Sequence, residues 1–366
     1  EFQKGDKNPK VIGVGESATL GMRDGYVVNF AETVSSLKRA ITEAEKTSGI
    51  KIRRAFVGIS GLTLRGDINT GTTVISKADS EVTNLDIAKA LEEAESNITS
   101  NNRKIIQVLP ISFKLDGKEV LGRPEGMRGN KLEAKALFIT YSNQHLEDLL
   151  EVVTIAGVEP IDAVASPIAA SSIALTERQK IVGCALVNIG AETMSIAVFE
   201  NNILISLHTF SIGANDFTND IALGLKITLE EAENLKIGNS SANFSKKKLD
   251  EIIEARLSDV FEIVENHLKK IKRNELLPAG IIWIGGGANV DKLEELSKSA
   301  LMLPTNLGNS EFFGNNKTKL RDSSWFTALG LITADKNSPS YEKGSFKSLL
   351  KDLKNTIKSI TKQFLP

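Results

Sequence analysis

One cysteine in 366 residues, three histidines and an aromatic fraction of 5% are the scarcities of this chain. A lone Cys184 excludes an internal disulfide, and with it any small disulfide-braced scaffold, and it fits a reducing compartment. No Cys or His pair stands at metal-ligand spacing, so no metal site is readable. His145, His208 and His267 are isolated in sequence and give no catalytic set. No apolar run reaches the roughly 18 residues that a membrane-crossing helix needs. Charge of one sign is missing too: 45 Lys and Arg meet 46 Asp and Glu, a formal net charge of −1. The chain therefore has no bulk field to draw it to nucleic acid, and any basic surface must be local.

What is present describes a globular protein. Hydrophobic residues make up 41% and charged residues 25%. The chain is too long for a single core and about right for two lobes or more. It opens Glu1-Phe2-Gln3 without Met, and a polar, lysine-containing stretch leads straight into residues 11–14, which read as an internal strand. The expectation is that the natural N-terminus lies upstream.

Strand and helix alternate through the first half, an α/β pattern. After the strand at 11–14, spacing predicts an amphipathic helix over 30–47 and a β-rich run at 55–59. Asn84 is the expected cap of a helix at 85–94, and 105–109 with 111–115 read as an extended segment interrupted by Pro110. A Gly- and Arg-rich loop at 122–129 precedes a strand at 134–140. Residues 54–140 thus hold a strand, a helix and two strands, a compact unit that reads as an insertion. A helix at 144–156 closes at Gly157, a left-handed cap by position.

The second half repeats the theme. A fully apolar strand at 183–187, in which Cys184 serves as a small core hydrophobe, runs into Asn188-Ile189-Gly190-Ala191-Glu192-Thr193 before β alternation resumes at 194–198. Such a hairpin can turn its backbone N–H groups to a phosphate, although hairpins often carry glycine for the turn alone. A buried strand at 280–284 is followed by Gly285-Gly286-Gly287-Ala288, after which 290–300 reads as a helix. Three glycines between strand and helix let a ligand approach backbone and helix start, whereas a plain tight turn accounts for one. Lys246, Lys247 and Lys248 read as a solvated loop or a helix start.

The C-terminal end differs in kind. Residues 335–344 are a linker by composition. Then Phe346, Leu349, Leu350, Leu353, Ile357, Ile360 and Phe364 recur at helical spacing, all within an arc of roughly 100°. Lys347, Lys351, Lys354, Lys358 and Lys362 flank that arc, and Ser345 stands where it would cap the helix. A terminal amphipathic helix can dock on its own domain. The polar linker and lysine enrichment favour an anionic membrane surface, each lysine contributing roughly 1 kcal/mol there. Such an anchor is weak alone and strong in a multimer, so the tail hints at polymerisation.

The order of these pieces resembles the FtsA family of actin-like bacterial cell-division proteins. The resemblance runs along nearly the whole chain through Val11-Ile12-Gly13-Val14-Gly15 with Gly25, Val57-Gly58-Ile59-Ser60-Gly61, and Gly126-Met127-Arg128-Gly129 before Leu132-Glu133. It continues through Asp220-Ile221-Ala222, Ala232-Glu233 with Lys236, Arg256-Leu257, and Gly285-Gly286-Gly287-Ala288, to the tail. It implies an actin-like (ribonuclease H-like) α/β fold of two lobes with ATP and Mg2+ in the cleft. The implied parts are first-lobe core at 1–51 and 161–182, an inserted SHS2-type subdomain at 52–160, and second-lobe core at 183–216 and 276–334. A small second-lobe subdomain at 217–275, the linker at 335–344 and a membrane-targeting helix at 345–366 complete them.

The resemblance also implies roles. Asn188, Gly190, Ala191, Glu192 and Thr193 would wrap phosphates, Gly213 and Ala214 would approach the nucleotide from the next turn, Glu233 and Lys236 would lie near ribose or base, and Gly285 to Ala288 would line the adenine side. Arg256 sits where the family receives the C-terminal peptide of FtsZ; an intramolecular pair with Glu254, Asp259 or Glu262 is the alternative. The insertion would contact a neighbouring subunit in a filament. Two departures stand out: Asn188 replaces an acid that would hold the magnesium shell, and Ala191 and Glu192 replace a glycine pair, bringing a negative charge toward phosphates. Hydrolysis is then expected to be weak at most. The family's first phosphate hairpin precedes the 11–14 segment and falls before Glu1. The expected function is tethering FtsZ filaments to the cytoplasmic face of the membrane at the division site. The alternatives are a sugar kinase or chaperone-type ATPase of the same superfamily, disfavoured by the degraded hairpin and by Ser195 in place of an acid, and a pilus-assembly relative, which would not need the tail.

Overall fold

The structure is a computed structural model that describes residues 10–76, 79–98, 102–239, 245–310 and 319–337. The tail expected at 346–364 lies outside the described residues. Two compact units are present, one formed by residues up to 65 with 141–333, the other by Gly66–Thr140.

The first unit begins with a departure from expectation, because residues 11–14 form no strand. Their backbone groups are claimed from the side by the first helix, α1 (Phe30–Ser48). Val14 N–H donates to Thr47 Oγ1 at 3.0 Å, Glu16 N–H to Glu43 Oε2 at 2.9 Å, and Leu20 N–H to Ser36 Oγ at 3.2 Å. Gly15 lies so close to α1 that a Cβ there would collide with the Ala40 carbonyl. Apolar alternation marked the segment as buriable, but a strand also needs a strand partner. A minimal ribbon follows, β1 (Met22–Arg23) with β2 (Tyr26–Val27). Asn29 then caps α1 by accepting from Glu32 N–H, and Gly49 ends it in the left-handed region at φ 72°.

From β3 (Arg54–Ile59) the chain enters the second unit through β4 (Arg65–Val74). Helix α2 (Asn84–Ser96) is capped by Thr83, one residue before the expected Asn84. Thr83 and Asp86 form a reciprocal capping box, and Asp86 also accepts from Ser76. Next come β5 (Arg103–Leu115), β6 (Lys118–Val120) and β7 (Lys131–Ser142), in the sheet order β4-β7-β5-β6. Pro110 does not interrupt β5. Strand β6 pairs β5 only at 113–115, and β7 lies along the strand's other side. Ile87, Ala90, Leu91 and Ala94 of α2 cover this sheet, packing with Phe113, Leu132, Ala134 and Phe138.

Back in the first unit, α3 (Asn143–Ile155) leads to β8 (Glu159–Ala165), which pairs in parallel with β3. Helices α4 (Ser166–Ala174) and α5 (Glu177–Val182) precede a sheet of β9 (Cys184–Ile189), β10 (Met194–Glu200) and β11 (Ile203–Phe210), later joined by β12 (Ile281–Ile284) and β13 (Thr305–Leu307). Its order is β11-β10-β9-β12-β13. Helices α6 (Ala214–Leu225), α7 (Leu229–Lys236) and α8 (Lys246–Lys270) intervene, and α9 (Leu293–Leu301) and α10 (Phe326–Asn337) follow. The core of this sheet is mostly apolar: Val187, Ile196 and Val198 pack with Leu257, Val260 and Val264 of α8. Trp283 sits edge-on to Phe261 and donates its indole N–H to Ser297 at 3.0 Å. Among the described residues no helix is long and apolar enough to cross a membrane.

Candidate functional site

Strand register builds the site. Strand β9 pairs antiparallel with β10, Ile189 opposite Met194, and parallel with β12, Asn188 beside Ile284. Two turns therefore leave the sheet side by side at one end: the hairpin Gly190 to Thr193 and the glycine turn Gly285 to Ala288. Their closeness requires glycine. Gly285 has φ 90°, and a Cβ there would collide with Asn188 Oδ1 and the Ile189 carbonyl; a Cβ on Gly287 would meet the Ile189 side chain. The glycine turn closes as a short 3-10 turn over Gly286–Asn289, with Ala288 N–H donating to Gly285 O. It does not run into the helix expected at 290–300. Lys292, at φ 63°, reverses the chain first, and α9 begins at Leu293.

The hairpin is seated on the start of α6. Ala214 N–H donates to Gly190 O and Asn215 N–H to Ala191 O, both at 2.8 Å, and Gly213 fits against the Ala191–Glu192 peptide with no room for a side chain. Gly213 N–H donates in turn to Asp216 at 2.7 Å. The first donors of α6 are thus spent on the hairpin, which leaves the tip as the donor surface: Gly190 N–H bonds to Thr193 O, while the N–H groups of Ala191, Glu192 and Thr193 reach no acceptor among the described residues. Successive unspent N–H groups on a tight turn form an anion-binding concavity.

A cavity of about 770 Å³ opens beside these turns, lined by Gly190, Ala191, Ala214, Gly286 and Gly287. Leu235, Ile237, Leu249, Ile253 and Val290 add apolar lining, and Lys246, Asp250, Glu254, Asp291 and Lys292 add charged side chains. Lys292 Nζ lies 3.2 Å from Asp250 and 2.9 Å from Glu254, and hydrogen bonds to Glu254 and Asp250 hold its pKa above the usual lysine value. Anion-receptive turns and apolar side chains around one cavity are suited to a ligand with a phosphate chain and a flat apolar body.

Glu233 and Lys236 reach the wall. Burial raises the Glu233 pKa, but hydrogen bonds from Lys236 and Thr218 outweigh it and hold the carboxyl below the usual range. The Lys236 ammonium lies 2.7 Å from Glu233 Oε2, 2.8 Å from Thr218 Oγ1 and 3.1 Å from Ala214 O, so its three donors brace α7 to α6. Asn188, Glu192, Thr193, Gly213, Gly285 and Ala288 are not in the lining; they form or support the turns. Spacing missed the lining residues Lys246, Leu249, Asp250, Ile253, Glu254 and Lys292, which lie 40 or more positions after Asn188 and become neighbours only in the fold. The lysine run at 246 was the one visible sign, and it is the helix start.

Arg256 is not part of this cavity. Its guanidinium grips Asp220 of α6 with two bonds, of 2.6 and 3.0 Å, and meets Asp259 at 3.0 Å. The Asp220 bonds raise its pKa further. Of the three intrahelical partners considered from spacing, Asp259 is realised. Asp220 comes from another helix and was invisible to spacing. Among the described residues no group of three His, Cys, Asp or Glu side chains could hold a metal ion.

Comparison with known proteins follows the same lines. A family model described as "Cell division protein FtsA" matches residues 185–330, and one described as "SHS2 domain inserted in FTSA" matches 61–140. The "Cell division protein FtsA" of Bacillus subtilis (strain 168) is 31% identical over 349 residues, covering 89% of this chain and 78% of that protein. The protein of the same description from Pseudomonas aeruginosa is 29% identical over 349 residues, covering 89% and 83%. A solved structure described as "PilM-PilN type IV pilus biogenesis complex" superposes with a TM-score of 0.63 at 18% identity, covering 89% of this chain and 99% of that one, a likeness of fold.

Proposed function

The chain belongs to the FtsA family of cell-division proteins, with its actin-like fold and SHS2 insertion, and on that premise we propose that it binds ATP, assembles on the membrane and holds FtsZ filaments there. The observation that carries the nucleotide reading is the pair of turns from β9 and β12, which bring the unspent Ala191 N–H and the bare backbone of Gly286 and Gly287 to a cavity that also has apolar lining. Phosphates would rest on the tip of residues 190–193 and on Gly286 and Gly287. The base would enter between Leu249, Ile253 and Val290, with Glu233 beside the ribose. Magnesium would arrive with the phosphates, because Asn188 offers an amide where a carboxylate would give a direct or water-bridged ligand. The same substitution makes hydrolysis weak.

Arg256 faces the peptide of FtsZ in this reading. An acidic peptide there competes with Asp220 and Asp259, so contact requires the guanidinium to exchange partners rather than to gain a first one. The membrane contact is the tail at 346–364, with apolar residues in the acyl boundary and lysines at the headgroups. The protein then works at the cytoplasmic face of the membrane at the division site. The test is pelleting of FtsZ with anionic vesicles in the presence of ATP. FtsZ should pellet with the full chain and stay in solution with a chain lacking residues 345–366. Equal recruitment by both forms would remove the tether.

A further inference from the structure

At the hairpin tip, Ala191 lines the cavity and its neighbour Glu192 does not. The sequence suggested that Glu192 carries a negative charge toward phosphates, but its carboxylate is engaged elsewhere. Glu192 Oε2 accepts a hydrogen bond of 2.6 Å from the backbone N–H of Asp24, in the turn between β1 and β2. That turn is itself firmly seated. The Asp24 carbonyl accepts from Leu62 N–H at 3.3 Å, and Asp24 Oδ1 lies 3.5 Å from the Ser211 hydroxyl. Gly25 packs so closely on Gly61 that a Cβ there would collide with the Gly61 backbone. The Tyr141 hydroxyl closes the arrangement, donating to Ser60 O at 2.9 Å and reaching Gly25 O at 3.4 Å. All of these residues belong to the first unit.

We propose that Glu192 is a positioning residue: tied to Asp24, it holds the hairpin tip in the shape that presents the Ala191 N–H to the cavity. This rests on the nucleotide reading above and assigns one residue of that site its role. The carbonyls of Gly190 and Ala191 are bonded to the Ala214 and Asn215 N–H groups of α6. A trans peptide sets its N–H opposite its C=O, so these bonds aim the N–H groups of Ala191 and Glu192 away from the start of α6. They fix the tip from one element only. The Glu192 side chain adds a second hold, from the β1–β2 turn, 168 positions away in sequence. A tip held twice has less freedom to lose when an anion settles on its donors, and that preorganisation appears as affinity.

Position and charge predict opposite signs. If Glu192 acted only as a charge near phosphates, every neutral replacement would tighten anion binding alike. If it positions the tip, the result depends on whether the replacement can accept from Asp24 N–H. Glu192→Gln keeps an acceptor without the charge, and Glu192→Met has similar length with neither; Glu192→Ala repeats the second case with a smaller side chain. The experiment is calorimetric titration of ATP with excess Mg2+ into the parent and the three variants, with melting curves and amide hydrogen exchange at Asp24. Glu192→Gln should bind at least as tightly as the parent and keep the Asp24 amide protected. Glu192→Met and Glu192→Ala should bind about fivefold more weakly than Glu192→Gln, with rapid exchange at Asp24 and melting temperatures close to that of Glu192→Gln. Equal affinities in Glu192→Gln and Glu192→Met would overturn the proposal while leaving the nucleotide site in place, and so would an Asp24 amide that exchanges rapidly in the parent. No ATP binding by the parent or any variant would remove the site itself, and the proposal with it.

Discussion

At the scale of single residues, the polar groups of the β11-β10-β9-β12-β13 sheet show how burial decides chemistry. His267 of α8 is buried against β11: Ser206 Oγ stands 3.0 Å from its Nε2, its ring stacks on His208 at 5.6 Å, and Phe210 meets it edge-on. Burial pushes its pKa down from 6.5 to about 4, with the charges of His208 and Lys270 acting in the same direction. Between those two values the unfolded chain binds a proton that the folded chain refuses, so stability falls as pH drops from 6.5 toward 4, with no contribution to the slope above that window. Melting temperatures measured across the window should fall more steeply in the parent than in His267→Gln. Parallel slopes would assign the acid sensitivity to other groups. Cys184 is the apolar counterpart, its thiol raised to about 12 by burial inside β9, as a small core hydrophobe should be.

At the scale of elements, glycine sets how closely backbones approach. Gly330 of α10 lies against α4 so tightly that a Cβ would collide with the Ala169 carbonyl, whereas a Cβ on Gly286 meets open space. Gly330→Ala should therefore cost about 1–3 kcal/mol through forced separation of the two helices, although alanine is the better helix former. Gly286→Ala should change stability by no more than about 0.5 kcal/mol. Denaturant melts of both variants make the comparison, and equal losses would show that the α4–α10 contact has slack. Periodicity made most elements visible in sequence because a buried face imprints its period on the side chains. The exceptions have local causes. Val14 has its N–H taken by α1, β5 runs on through Pro110, and Thr83 rather than Asn84 caps α2 because Asp86 stands at the reciprocal position.

At the scale of the whole molecule, the open choice concerns the tail. Docking of the segment 346–364 on the body and insertion into a lipid surface would use the same apolar arc of its sequence pattern, and they separate under charge insertion. Phe346→Glu combined with Ile357→Glu should abolish pelleting with anionic vesicles and leave the melting temperature of the protein unchanged, since the arc would touch only lipid. A lowered melting temperature with vesicle binding retained would mean that the arc is buried against protein. A single anchor of this kind would be weak, so under the proposed function the loss should be steepest under conditions that favour assembly.

The sequence by itself determined the α/β alternation, the insertion between β3 and β8, the hairpin and glycine turn, and the amphipathic pattern of the tail. Each is written in local spacing, where a period or a run of glycines reports on neighbours a few residues away. Only the tertiary structure decided that the hairpin and the glycine turn meet at one end of a sheet, that α8 supplies part of the apolar lining of the cavity, that Arg256 is held by Asp220, and that Glu192 reaches Asp24. These are contacts between residues 36 to 168 positions apart. They are set by strand register and helix packing, which no local pattern encodes, because any residue type able to accept or fill would leave the same trace in the sequence.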